Sequence, residues 1–368
     1  MATLKTDVVV MGTGGAGLAA ALAAAEGGAK VMMFEKRKAF GGISVTAEDD
    51  SGNTMQVEAK TVVVASGGYA HNKEMLAKDG FELGRDLGVC YNTIPLEGDG
   101  IRMAWDLGAV PDGMGVMLTS FVPGAFLPFE KFPHTPETAA LLDLVGWGLP
   151  YLWVNQHGER FMDEGNGNGG YIANAMARQK DKCFYLIFDG KIKRHIEKDG
   201  ADTYSYLPGN IQDIDGLIQK ALDKGMPGIF VADTLAELAD KIGIAPTALQ
   251  KNADDYNRCC EKGRDDLFAK NPKFLQPVKE PKFYAFKQSL GGYGTMGGIK
   301  INERAEAMDK NDEAIPGLYA AGDCANGVHP PNFSLGYILW GGQLSFAINS
   351  GRIAGENAAK CVGGQRRR

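Results

Sequence analysis

Residues 7–11, Asp-Val-Val-Val-Met, form a short apolar run rich in β-branched side chains, the pattern of a strand buried on both faces. Gly12-Thr13-Gly14-Gly15-Ala16-Gly17 follows at once, and residues 18–26 read as an alanine-rich helix. A second apolar run, residues 30–34, ends in Glu35. A third, Val62-Val63-Val64, runs into Ala65-Ser66-Gly67-Gly68, again a strand that ends in a glycine turn. Apolar positions at helical spacing predict an amphipathic helical stretch over residues 234–262. Residues 315–321 are strand-like and lead into Gly322-Asp323, and Ser334-Leu335-Gly336 introduces a predicted helix over residues 340–355. No apolar run approaches the roughly 18–20 residues that span a bilayer, so membrane insertion is not expected.

Strand, glycine turn, helix, strand and acid follow one another in the order of a dinucleotide-binding unit. Gly12 allows the tight turn, Gly14 lets the backbone approach a pyrophosphate, and Gly17 lets helix pack on strand. Gly15 and Ala16 lie in the same turn, ahead of a helix whose unpaired N–H groups and positive dipole end favour phosphate. Glu35 is placed to accept hydrogen bonds from ribose hydroxyls, a role that disfavours a 2′-phosphate. The unit alone does not separate NAD from FAD. Four further pieces point to FAD: Lys36, Gly41, Gly42 and Ser44 beyond the acid; Ala65, Ser66 and Gly67 after the third strand; Gly322 and Asp323, whose carboxylate suits ribityl hydroxyls; and Ser334 and Leu335, ahead of a helix whose N terminus could face a flavin ring.

Composition narrows the partners. The 368 residues imply two domains, and the 50 glycines fall largely in the clusters just described. A formal charge of −6 argues against nucleic acid, which asks for excess Lys and Arg. The six cysteines include no CxxC pair and no His at ligand spacing, so no metal is expected and a reducing, cytoplasmic compartment fits. Met1 runs directly into a strand, which leaves no room for a signal peptide.

The motifs VVVMGTGGAGLAAALAA, FEKRKAFGGIS, VVVASGGYAHN, EGDGIRMAWDLGA, NQHGERFMDE, YGTMGGIKIN, IPGLYAAGDCANGVH and SGRIAGENAA occur in this order along nearly the whole chain. The chain thereby resembles the FAD-dependent fumarate reductase/succinate dehydrogenase flavoprotein superfamily, which also includes urocanate reductases and 3-oxosteroid dehydrogenases. The resemblance implies an α/β fold: a Rossmann-like FAD-binding domain of the glutathione-reductase type, residues 1–90 and 285–368, interrupted by an α+β capping domain, residues 91–284. It adds Asp99, in EGDG, to the FAD-binding residues. A cap is expected physically, since closing it excludes water from a hydride-transfer site.

Two departures from the family bear on function. Gly41-Gly42-Ile43-Ser44 is followed directly by Val45-Thr46-Ala47-Glu48, which resembles the hairpin ahead of VVVASGG. Family members carry a long segment between these points, including the histidine that holds FAD covalently in succinate dehydrogenases. FAD is therefore expected to be non-covalent. The dicarboxylate-handling residues are also replaced. Fumarate reductases place a His immediately before TMGG, where this chain has Gly294 preceded by Tyr293; they place an Arg in the turn that here reads Asn332-Phe333-Ser334-Leu335-Gly336; and their catalytic Arg falls within residues 165–171, which here end in Tyr171. Without a guanidinium fork a dicarboxylate lacks its matched partner. Tyr171, Tyr293 and Ser334 are the catalytic candidates, in the manner of the steroid-dehydrogenase branch, where tyrosines activate an enone or move the proton.

Three readings follow. The chain is an FAD-dependent oxidoreductase that reduces or forms a C=C bond conjugated to a carbonyl on a small neutral or monoanionic molecule, working with an unidentified electron donor or acceptor. Or it is a truncated flavin-holding protein without substrate chemistry of its own. Or it is a dicarboxylate reductase that uses other residues.

Overall fold

The computed structural model describes residues 2–35, 39–40, 44–48, 54–81, 96–123, 141, 144–145, 149–167, 169–202, 211–325 and 342–366. Lys36, Gly41, Gly42, Ser334 and Leu335 lie outside these residues, and of Ser44 and Tyr293 the backbone alone is described. The first part of the chain builds β1 (Ala2–Lys5), β2 (Val8–Met11), α1 (Gly15–Glu26), β3 (Val31–Phe34), β4 (Ala39–Phe40), β5 (Ser44–Glu48), β6 (Thr54–Glu58), β7 (Thr61–Val64), α2 (Lys73–Lys78), α3 (Asp99–Asp106) and β8 (Pro111–Asp112). A middle part follows with β9 (Met117–Pro123), β10 (Leu152–Val154), α4 (Gly169–Ala177), β11 (Cys183–Asp189), α5 (Gly190–Asp199), α6 (Ile214–Asp223), β12 (Ile229–Ala232), α7 (Leu235–Ile242), α8 (Pro246–Lys262) and β13 (Phe283–Thr295). The chain closes with β14 (Gly298–Ile299), β15 (Glu306–Met308), β16 (Ala314–Ala320) and α9 (Gly342–Arg366).

One sheet has the order β15-β16-β7-β2-β3, in which β16, β7, β2 and β3 are parallel and β15 is an antiparallel edge. Val8, Val9 and Val10 of β2 are all fully buried, because this strand has neighbours on both edges and packed layers on both faces. Val8, Val10 and Val63 meet Ala16, Ala20 and Ala24 of α1 and Ala354 and Ala358 of α9. Val9, Val62 and Val64 meet Ile101 and Ala104 of α3. Each such valine contributes roughly 1.5–3 kcal/mol of burial free energy. A second small sheet, β1-β6-β5-β4, contains the expected hairpin, with β5 antiparallel to β6.

The middle part is built on an antiparallel sheet, β10-β11-β13-β12, with β9 paired to the far half of β13. All seven residues of β11 are buried. Its core is aromatic: Phe188 stacks on Tyr284 and on Phe286, and Trp153 on Phe184. A buried charge network ties the Arg160–Glu164 segment to the chain beyond α8. The Arg160 guanidinium donates to Glu164 at 2.6 and 2.7 Å and to Asp265 at 3.0 and 2.7 Å. Lys270, also buried, donates to the Tyr151 carbonyl at 2.6 Å and pairs with Glu164 at 3.3 Å. No helix among the described residues is long and apolar enough to cross a membrane.

Several elements differ from the sequence expectations. α1 begins at Gly15 rather than at residue 18, because the glycine turn passes straight into the helix. The stretch 234–262 is two helices, with α7 ending at Gly243 and α8 starting on Pro246 at its first position. The terminal helix runs on to Arg366. Tyr171, expected in a glycine-rich loop, stands in the first turn of α4. The expected boundary between residues 284 and 285 falls inside β13, which belongs to the middle sheet throughout. Residues 99–109, expected in the middle segment, pack through Ile101, Ala104 and Ala109 against the valines of the parallel sheet.

Candidate functional site

Parallel strands deliver their carboxyl ends to one edge of a sheet, and four turns meet there. Hydrogen bonds between neighbouring strand ends clamp the turns side by side: Gly12 N donates to Phe34 O at 2.7 Å, Ala65 N to Met11 O at 2.8 Å, and Ala321 N to Val64 O at 2.9 Å. Gly12 has φ +105°, and a Cβ there would lie 2.3 Å from the Ala65 carbonyl oxygen, so no other residue fits. A Cβ on Gly17 would lie 1.9 Å from the Gly12 oxygen. Gly14 is different: a Cβ there would meet no atom of the described residues within 4 Å. It is the N-cap of α1 and supplies no side-chain cap, so the first N–H groups of the helix remain available to an anion.

Glu35, just past β3, accepts hydrogen bonds on Oε2 from Thr13 N at 2.7 Å and Thr13 Oγ1 at 2.5 Å. The acid expected to meet a ribose therefore also fixes the glycine turn. In the turn after β7, Ser66 Oγ is buried with no hydrogen-bond partner among the described residues. The Gly68 carbonyl accepts from Gly98 N at 3.1 Å, which brings the Asp99 segment to the turn, and Asp99 accepts from Arg102 at 2.7 Å. Thr295, at the end of β13, accepts from Tyr69 N at 3.0 Å and so seats the TMGG segment against the same turn.

After β16, Gly322 N donates to Ser350 Oγ of α9 at 3.0 Å, and Asp323 accepts from the Gln343 side-chain amide at 2.6 Å. Burial raises the Asp323 pKa above the usual carboxylate value, and the Gln343 hydrogen bond opposes the rise. Gly12, Gly14, Gly15, Ala16, Gly17, Glu35, Ala65, Ser66, Gly67, Asp99, Gly322 and Asp323 thus gather at one sheet edge. Thr295, Gln343 and Ser350 join them there, and none was singled out from sequence. Thr295 stands in a motif, but a lone glutamine or serine near a helix start carries no distinguishing pattern.

The catalytic candidates are placed less directly. Tyr293 is the extra residue of a β-bulge, since Gly292 faces Thr119 and Gly294 faces Leu118 across the ladder. Bulges of this kind occur beside functional sites, where they re-aim a side chain. Tyr171 is 59% exposed on α4 and belongs to the middle part of the molecule rather than to the glycine cluster. Ser334 lies outside the described residues.

A family model described as FAD binding domain matches residues 7–48 and 42–336. The chain belongs to that family, within the fumarate reductase/succinate dehydrogenase flavoprotein superfamily. The match changes pieces within residues 42–48, where Ser44 is followed directly by Val45. Among curated proteins the chain is 31% identical over 311 residues to the vinyl phenol reductase of Lactiplantibacillus plantarum, covering 83% of this chain and 62% of that protein. It is 33% identical over 307 residues to the NADH:acrylate oxidoreductase of Vibrio harveyi, covering 82% of this chain and 27% of that one. The fold is shared with a flavocytochrome c3 fumarate reductase in its open conformation, at a TM-score of 0.69 and 21% identity, over 98% of this chain and 79% of the other.

Family membership indicates FAD as the cofactor, and the residues of this flavoprotein fit it. The open N terminus of α1 with bare Gly14 suits a pyrophosphate, the Glu35 and Asp323 carboxylates suit sugar and ribityl hydroxyls, and the orphaned Ser66 hydroxyl lies in the same cluster.

Proposed function

We propose that this flavoprotein is an FAD-dependent oxidoreductase that reduces, or forms, a C=C bond conjugated to a carbonyl. The observation that carries the reading is the gathering of the glycine turns, Glu35 and Asp323 at one sheet edge of a chain in this superfamily. FAD is held non-covalently by Gly12, Gly14, Gly15, Ala16, Gly17, Glu35, Lys36, Gly41, Gly42, Ser44, Ala65, Ser66, Gly67, Asp99, Gly322, Asp323, Ser334 and Leu335. The middle part acts as the cap that excludes water. Reduction adds a hydride and a proton across the double bond, and bound FAD, once reduced by its electron donor, would supply the hydride at N5. On this reading the proton comes from Tyr171, Tyr293 or Ser334, or from solvent linked to one of them. The substrate is a small neutral or monoanionic enone rather than fumarate, and an unidentified donor or acceptor exchanges electrons with the flavin. Relatives named for vinyl phenol and for acrylate, neither a dicarboxylate, support a substrate other than fumarate, and acrylate carries the conjugated carbonyl that vinyl phenol lacks. The deciding experiment is reoxidation of the photoreduced flavoprotein by a panel of enones and by fumarate.

A second reading has its own support. The chain spans 62% of the vinyl phenol reductase, and the family match breaks within residues 42–48. On this reading the protein holds FAD without turning over a substrate, and no member of the panel reoxidises the flavin.

A further inference from the structure

Asp323 sits in the short turn Gly322–Cys324, held between the N-terminal ends of α1 and α9. Among the described residues no Lys, Arg or His pairs with it. Its titratable neighbour is Cys324, whose thiol burial pushes up to about 12, so that it is neutral. Among the described residues, the group that favours the ionised carboxylate is the amide of Gln343, the second residue of α9, at 2.6 Å from Oδ1. An amide N–H donates to one oxygen, restricts the carboxylate's rotation, and leaves the other oxygen for an incoming hydroxyl.

We propose that Gln343 is a positioning residue for FAD: its side-chain amide fixes the Asp323 carboxylate that the ribityl chain meets. The inference rests on the FAD reading above and names a residue that acts through Asp323 rather than on the flavin itself. Without the amide, burial acts unopposed and Asp323 takes its proton at higher pH, losing its value as an acceptor. Glutamate has nearly the size of glutamine, so a packing role for residue 343 tolerates Gln343→Glu. A positioning role makes it the worst choice, because two carboxylates would then face each other.

The test is titration of the apoprotein with FAD, read by quenching of flavin fluorescence, from about pH 5 to 8. Gln343→Leu is expected to raise the dissociation constant about tenfold near neutrality and to move the pH midpoint of binding upward. Gln343→Glu is expected to weaken binding further. A Gln343→Glu protein that binds like the parent, or a Gln343→Leu profile parallel to the parent's at every pH, overturns the proposal. A parent chain that quenches no flavin fluorescence overturns the FAD reading itself. The 13C carboxyl titration of Asp323 in the apoprotein then still decides whether Gln343 governs that carboxylate, and an unmoved midpoint in Gln343→Leu denies it.

Discussion

A methyl group on Gly351 would lie 2.1 Å from the carbonyl oxygen of Ala16, and one on Gly355 would lie 2.1 Å from that of Ala20. α9 therefore lies backbone to backbone on α1. The same register sets Ser350 under Gly322 N and so brings Asp323 to the N terminus of α1. Gly351→Val must push the helices apart. It is expected to cost about 1–3 kcal/mol of stability, as overpacking does, and to lower FAD retention. Urea unfolding measures the first effect, and an unchanged unfolding midpoint would contradict the contact.

Gly14 and Gly17 belong to one motif but should respond differently. A side chain on Gly14 meets no atom of the described residues within 4 Å, so Gly14→Val should cost the apoprotein no more than about 1 kcal/mol, the loss of a favourable N-cap residue. It should nonetheless abolish FAD binding, by filling the space the pyrophosphate needs. Gly17→Val drives a side chain into the Gly12 carbonyl and should destabilise the apoprotein itself. Thermal unfolding beside flavin content separates the two. Equal stability losses would mean that Gly14 is a packing glycine.

What the sequence made legible follows from local physics. The two valine-rich strands, the apolar run between them, the glycine turn and the acid after β3 could be read because each part is contiguous and its spacing is fixed by the ligand. Tyr171 reads as loop because glycines precede it, whereas Gly169 and Gly170 open α4 and carry it into the first turn. The split at Gly243 stayed hidden because apolar spacing continues across it. Gln343 and Ser350 could not be read at all, since their partners lie 20 and 28 residues away in sequence and only the packing of α9 on α1 brings them together.

Arg160 answers to both carboxylates of its buried network. Arg160→Leu leaves Glu164 and Asp265 without the guanidinium, which is expected to cost about 3–5 kcal/mol. Burial alone would raise the Asp265 pKa, but the hydrogen bonds and charge of Arg160 outweigh it and hold that carboxyl well below the usual range. The unfolded chain therefore binds this proton more readily than the folded one. The stabilisation is fully present above the unfolded value of about 3.9 and fades as pH falls below it. Urea midpoints from about pH 3 to 7 should fall on the acid side in the parent and less steeply in Arg160→Leu. Asp265→Asn provides the same comparison in a milder variant. Parallel acid limbs in all three proteins would show that the pair does not set the acid dependence.

FAD release reports on the linkage. The segment that carries the attaching histidine in succinate dehydrogenases has no counterpart between Ser44 and Val45. Trichloroacetic acid should therefore leave the flavin in the supernatant and the protein pellet colourless. A yellow pellet would mean a covalent link at another residue.

Substrate choice is the sharpest test of the proposed chemistry. On the family resemblance, the positions that supply His and Arg in fumarate reductases are here Gly294, Phe333 or Ser334, and the stretch 165–171, which contains no cation. A dianion would lose its hydration in a pocket without matched guanidinium groups, at a cost of several kcal/mol per charge. A neutral enone would lose little. Fumarate is therefore expected neither to reoxidise the reduced flavin at a useful rate nor to perturb its spectrum, while an enone or a monoanionic conjugated acid does both. Tyr171 is 59% exposed in the structure, so on the proposed reading its service as proton donor requires the middle part of the chain to close over substrate as a cap. Tyr171→Phe keeps the ring and removes the proton, and should lower turnover by about 10²-fold or more with little change in KM. If Tyr171→Phe turns over as fast as the parent while Tyr293→Phe is slow, the donor is the residue at the β13 bulge. Rapid fumarate turnover by the parent would place the dicarboxylate-binding cations elsewhere in the chain and end the enone assignment.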